Sequence, residues 1–113
     1  MLTIPIRTVS ALNVREHPMA RHRRVKAERK ATAWVLAPAT KLEKLPAAVR
    51  LTRVGPSDGL DEGDNLNSSM KGVRDQVAEW LGINDRDPRV KWVYAQRRDK
   101  QWAVTVEFLE VAP

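Results

Sequence analysis

The chain has 113 residues, with 20 lysines and arginines against 14 aspartates and glutamates, a formal charge of +6 and no cysteine. That length suits one domain with a single modest core, and the missing thiols exclude disulfides, thiolate zinc sites and cysteine nucleophiles. The positive surplus points to a polyanionic partner, of which nucleic acid is the commonest.

The first residues, Met1 to Ser10, alternate apolar and polar. They lack the charged start and apolar run of a signal peptide, and no window approaches the roughly 18 apolar residues of a membrane span. A cytoplasmic protein without a membrane partner is the expectation. Leu2, Ile4 and Ile6 share one face of a first strand running to Val9, and Pro5 suits a sheet edge. Glu16 to Leu36 reads as a helix, with Pro18 in its first turn and an interior of Ala, Arg, Lys and Glu. At about 100° per residue, Ala20, Ala27, Ala31, Trp34 and Val35 form its packing face, while Arg21, Arg23, Lys26, Arg29 and Lys30 take the remainder.

Pro38 and Pro46 bracket a connector. Ala47 to Val54 then reads as a second strand with Val49 and Leu51 on one face, in line with Arg53. Gly55-Pro56-Ser57-Asp58-Gly59 is a turn signal. From Ser68 to Leu81 the residues Met70, Val73, Val77, Trp80 and Leu81 recur at three and four, and Gly82 is placed to end that helix. Arg89 to Arg97 and Gln101 to Val111 both alternate about a polar Arg98-Asp99-Lys100 and read as a hairpin. The order β-α-β-α-β-β predicts a single α+β domain over the whole chain, a mixed sheet with two packed helices.

Directly after the turn stands Asp61-Glu62-Gly63-Asp64-Asn65-Leu66. Metal-assisted phosphodiester cleavage needs converging carboxylates, because Mg²⁺ takes hard oxygen ligands and retains water for the chemistry. Glu62 and Asp64 are two residues apart, so in an extended segment both side chains leave on the same side. Asp87 arrives from the loop before the third strand and meets them if the second helix returns the chain across the sheet. By composition alone, such acids are equally a solvated turn and helix cap. Lys71, one turn from Asp75, is as well placed for an exposed ion pair as for orienting a carboxylate or offsetting charge on a phosphate.

The pattern Asp64-Asn65-Leu66, then Lys71-x-Val73-x-Asp75 on a helix, then Asp87-x-x-Val90 entering a strand, resembles the RusA-like Holliday junction resolvases. The resemblance runs from about Leu60 to Val93. It implies that Asp64 and Asp87 are metal ligands with Glu62 beside them, that Lys71 is the catalytic lysine, and that Mg²⁺, or Mn²⁺ in its place, is the cofactor. It further implies a homodimer that nicks opposing strands of branched, four-way DNA in recombination and repair, in a bacterium or a phage-infected host. Three positions depart from the family pattern. Glu62 replaces an aspartate and has Asp61 as a rival; Lys71 follows Asp64 by seven residues, a longer spacing; and Arg86 stands where a second acid is usual, with Asp85 a candidate for that role. Asp61, Asp75 and Asp85 are accordingly read as supporting residues. The alternative expectation is a non-catalytic nucleic-acid-binding relative with a degenerate metal site.

Seven basic residues (Arg15, Arg21, Arg23, Arg24, Lys26, Arg29 and Lys30) against Glu16 and Glu28 give the stretch around the first helix a charge of +5. Such a face neutralises phosphates without reading bases. His17 and His22 are five apart, off a common helical line, which argues against a two-histidine metal site. Trp34, Trp80 and Trp102 are assigned to packing faces, and Trp92 and Tyr94 share a strand face with Val90.

Overall fold

The computed structural model describes residues 1–9, 17–56 and 64–113, with residues 64 and 65 as backbone alone. Along the described residues run β1 (Leu2–Ile4), α1 (Pro18–Leu36), β2 (Ala48–Gly55), α2 (Asp64–Ser69), α3 (Lys71–Leu81), β3 (Lys91–Arg98) and β4 (Ala103–Leu109). The strands form one mixed sheet in the order β1-β4-β2-β3. β2 is parallel to β3 and antiparallel to β4, and β4 is antiparallel to β1. The α+β class is as expected.

β2 is central because its sequence can be covered on both faces: every residue except Arg50 is buried. Its Val49 and Leu51 join Val104 and Val106 of β4 and Ile4 of β1 in a core closed by Leu36, Leu66, Met70, Val73 and Val77. α1 ends that core at Leu36, and α3 lays Val73 and Val77 across it. Trp80 extends it by stacking on Phe108, ring centroids 5.5 Å apart, a contact of about 1 kcal/mol beyond the area it buries. Gly82 ends α3 in the left-handed region, φ 77°. Its N–H donates to the Glu79 carbonyl and that of Ile83 to the Ala78 carbonyl, both at 3.0 Å, the paired closure that glycine favours at a helix end.

The expected hairpin between the last two strands does not form. β3 and β4 lie on opposite sides of β2; the alternation of hydrophobic residues specifies faces but not partners, and β2 pairs with β3 along one edge and with β4 along the other. The connection from β3 crosses the end of β2, where the Asp99 N–H donates to the Gly55 carbonyl at 3.0 Å. The Trp102 indole then lies so close over Gly55 that a Cβ there would overlap the ring. Glycine at the last position of β2 is what lets the crossing close down.

Three further expectations are corrected. The first strand stops at Ile4 rather than Val9, since Pro5 has no N–H for the ladder and Ile6 N–H turns back to the Ile4 carbonyl at 2.9 Å; β1 is the edge strand that Pro5 suggested. The second helix is two, α2 and α3, divided at Met70, whose N–H donates to Asn67 O at 3.1 Å. Most consequentially, the packing face of α1 is rotated from the expected one, with only Ala31 and Val35 of that set against the core. Its buried residues are Glu28, Thr32 and Leu36, while Ala27 is exposed and Trp34 stands 71% exposed. The buried polar atoms are satisfied locally. Arg24 Nη1 meets Glu28 Oε1 at 3.0 Å and Thr32 Oγ1 donates to the Glu28 carbonyl at 2.8 Å. Gly72 of α3 admits Glu28, for a Cβ there would stand 3.1 Å from the Glu28 side chain and the Val25 carbonyl.

Candidate functional site

The described acids of the expected site divide among three separate basic partners, Lys71, Arg74 and Arg89, and Arg74, beside the edge strand β3, carries no mark in the sequence pattern. Arg74 of α3 donates from Nη1 to the Tyr94 hydroxyl and from Nη2 to the Asp85 carbonyl, each at 2.7 Å. Its Nε lies 3.5 Å from Asp85 Oδ2, and its guanidinium sits 5.0 Å from the Trp92 ring centroid. Arg74 therefore draws the loop between α3 and β3 back against α3. Burial raises the Tyr94 phenol; the Arg74 hydrogen bond opposes the rise, and the charges of Asp85 and Asp75 add to it. Both carboxylates are thus electrostatic neighbours of one phenol, which stays protonated at neutral pH.

Each expected residue has a definite place or lies outside the described residues. Lys71, at the start of α3, is exposed and stands 3.6 Å from Asp75 Oδ2 one turn on. That is the ion-pair geometry, worth a few tenths of a kcal/mol. Asp85 belongs to Arg74. Asp87 is held by Arg89 in a two-oxygen fork, with Nη2 to Oδ2 at 2.7 Å and Nε to Oδ1 at 3.0 Å, while the Arg89 N–H also donates to Oδ1 at 3.0 Å. Asp64 opens α2, described as backbone. Asp61, Glu62 and Arg15 lie outside the described residues.

The side-chain hydrogen bond from Arg89, then its backbone N–H, lowers the Asp87 carboxyl to about 2. A carboxyl depressed by folding contributes stability above its unfolded value and loses that contribution as pH falls through the folded one, so here the window lies between the ordinary carboxylate range and about 2. Arg89→Gln removes the fork. The Asp87 carboxyl should then titrate near the ordinary value of about 3.9, read by NMR of its side-chain carbon, and a value still near 2 would show that Arg89 is not the cause.

The basic helix divides between two roles. Arg24 is held by Glu28, and Arg29 reaches across to α3, 2.9 Å to Glu79 Oε2 and 3.3 Å to Gln76 Oε1. Arg21, Arg23, Lys26 and Lys30 are exposed. His17 caps the helix, its Nδ1 accepting from the Met19 N–H at 3.1 Å. Between α1 and α3 runs an open groove of about 580 Å³ with His22, Lys26, Arg29 and Lys30 on one wall and Asp75 and Gln76 on the other. It leads from the basic helix to the Lys71–Asp75 pair.

A second arginine cluster occupies the end of β2. Arg53, buried as its strand face implied, donates from Nε and Nη2 to the Thr8 carbonyl at 3.3 and 3.1 Å. Arg53 and Arg7 both lie against the Trp102 ring, 4.9 and 4.5 Å from its centroid. Burial, then the charge of Arg7, lowers Arg53, yet a guanidinium keeps its proton throughout the working range. Neither arginine carries a local sequence signature. The strand alternation placed Arg53 inward; nothing in the chain order announces Arg74 as the link between α3, Asp85 and β3.

The described carboxylates are hard oxygen donors, and Asp87 is deprotonated as a Mg²⁺ ligand must be. Its oxygens already serve Arg89, and among the described residues no three ligating side chains gather at one point. No protein-family model, curated protein or solved structure matches this chain. No helix among the described residues is long and apolar enough to cross a membrane.

Proposed function

We propose that this chain is a Mg²⁺-dependent endonuclease acting on branched, four-way DNA as a homodimer, in the manner of the RusA-like resolvases it resembles. The observation that carries the reading is the groove between α1 and α3, with His22, Lys26, Arg29 and Lys30 on the α1 wall and Asp75 and Gln76 on the other. A DNA backbone lying in it would have its phosphates neutralised by the α1 cations. Glu62, Asp64 and Asp87 are proposed to hold the metal, with Asp61 as the rival of Glu62. Mg²⁺, or Mn²⁺ in its place, would supply Lewis-acid polarisation of the phosphodiester. Lys71 would leave Asp75 to offset charge on the phosphate, an exchange that an exposed pair makes at little cost. Asp87 would trade Arg89 for the metal, and Asp85, fixed by Arg74, would keep the loop in position. A bacterial cytoplasm or a phage-infected host is where such a substrate is met.

The clamp on Asp87 favours a second reading, a relative that binds branched DNA without cutting it. Incubation of the purified protein with a synthetic four-way junction separates the two. The nuclease reading expects nicked strands with Mg²⁺ and none with EDTA; a retarded but uncut junction in both would select the binding protein.

A further inference from the structure

The outward face of α1 carries a line of side chains that no hydrogen bond or ion pair among the described residues engages. Met19, Arg23, Lys26, Lys30 and Trp34 follow one another at steps of four, three, four and four residues, and so lie along one stripe of the helix. All five are exposed, Trp34 by 71% and Met19 by 57%. The stripe lies opposite the buried Glu28, Thr32 and Leu36. Glu28 is the only acid within Pro18–Leu36, so the outward face is purely cationic. An indole turned to solvent at the end of such a row gains little from folding, since most of its apolar area remains in water.

We propose that this face binds an unpaired stretch of a nucleic-acid strand, with Arg23, Lys26 and Lys30 pairing with its phosphates and the Trp34 indole stacking on a base. The inference rests on the reading that the partner is nucleic acid. From Arg23 to Trp34 is eleven residues, about 16 Å at the rise of an α-helix, room for several consecutive phosphates of one strand. A base offers its flat face to an indole only where it is unpaired, and stacking of this kind tolerates any sequence. A lipid surface fits less well. Helices that lie on membranes separate a continuous apolar face from their cations, whereas here three cations share the stripe and keep the two apolar side chains apart.

The test is fluorescence anisotropy of labelled oligothymidylate and of a blunt duplex, in EDTA so that no cleavage intervenes, with the wild type, Trp34→Ala, Trp34→Phe and Lys26→Gln/Lys30→Gln. Trp34→Ala should weaken the single strand roughly 10- to 100-fold and the duplex less than about twofold, while Trp34→Phe keeps most of the affinity. The lysine double variant should weaken both ligands and reduce the slope of log affinity against log salt by about 1.4 for the single strand. Equal single-strand affinity of wild type and Trp34→Ala overturns the proposal. So does a Trp34→Ala variant that only dissociates a dimer in light scattering, which would assign the stripe to a second copy of this chain, or one that loses only binding to phosphatidylserine vesicles. Single-strand binding that depends on Trp34 in a protein that cuts nothing would uphold this inference and end the nuclease reading. Cleavage with Trp34-independent binding would do the reverse.

Discussion

Asp64→Asn should abolish Mg²⁺-dependent cleavage of a four-way junction, slowing it by about 10³-fold or more, and leave junction affinity within about twofold. The expected loss corresponds to about 4 kcal/mol of transition-state stabilisation, the scale of charge stabilisation at a metal centre. The substitution suits the question because asparagine is nearly isosteric with aspartate and lacks its charge. The exchange removes a charge and a hard ligand at nearly constant side-chain size. Lys71→Ala should lower the rate less, by roughly 10- to 100-fold, because a single electrostatic contact to the phosphate is removed while the metal ligands stay. Its ion pair with Asp75 is exposed at the lysine end, so unfolding will not mask the result. Single-turnover cleavage and electrophoretic retardation, on the same preparations, measure the two quantities. Cleavage by Asp64→Asn at the wild-type rate would remove Asp64 from the site.

Gly55→Ala should be the most destabilising added methyl among the described glycines. The added Cβ would overlap the Trp102 ring, and the neighbour that must yield is no free side-chain tip. It is an indole flanked by Arg7 and Arg53, on a connection that the Asp99–Gly55 hydrogen bond fixes to the end of β2. Overpacking of this kind costs about 1 to 3 kcal/mol, with each cation–π contact that is broken adding about 0.5 kcal/mol. A fall in Tm of roughly 10 °C follows for a domain of this size. Trp102→Ala in the Gly55→Ala background should cost less than Trp102→Ala alone, and that double-mutant cycle assigns the strain to this pair. Additive costs would mean that the alanine is accommodated elsewhere.

Much of the fold was legible because it rests on periodicity. The alternation in β2, the three-and-four spacing of Val73, Val77 and Trp80, and Gly82 as a helix stop all express local chemistry, and they stand where that chemistry puts them. The helix α1 shows where this reasoning fails. Its buried face holds Glu28 and Thr32, made tolerable by Arg24, by a carbonyl one turn back and by the absent side chain of Gly72. Hydrophobicity therefore pointed at Ala27 and Trp34, which face water. The pairing of β3 with β2 rather than β4 is a non-local choice, made with the crossing at Gly55, and strand alternation carries no mark of it.

For the site, the acids were visible as residues but their present engagements were not. Lys71 with Asp75 could be read from spacing alone. Asp87 with Arg89 depends on a turn in which the Val90 N–H returns to the Asp87 carbonyl at 3.3 Å, and Asp85 with Arg74 depends on the loop folding back over eleven residues. Contacts of this second kind leave no periodic trace in a sequence.

Metal-assisted strand scission is proposed at the site that Glu62, Asp64 and Asp87 would form. The most direct measurement is a time course with wild-type protein on a four-way junction carrying a label on each strand in turn, in Mg²⁺, in Mn²⁺ and in EDTA. The account predicts cuts in two opposing strands with either metal and intact strands in EDTA. A junction that is bound and uncut in Mg²⁺ and Mn²⁺ alike would contradict it.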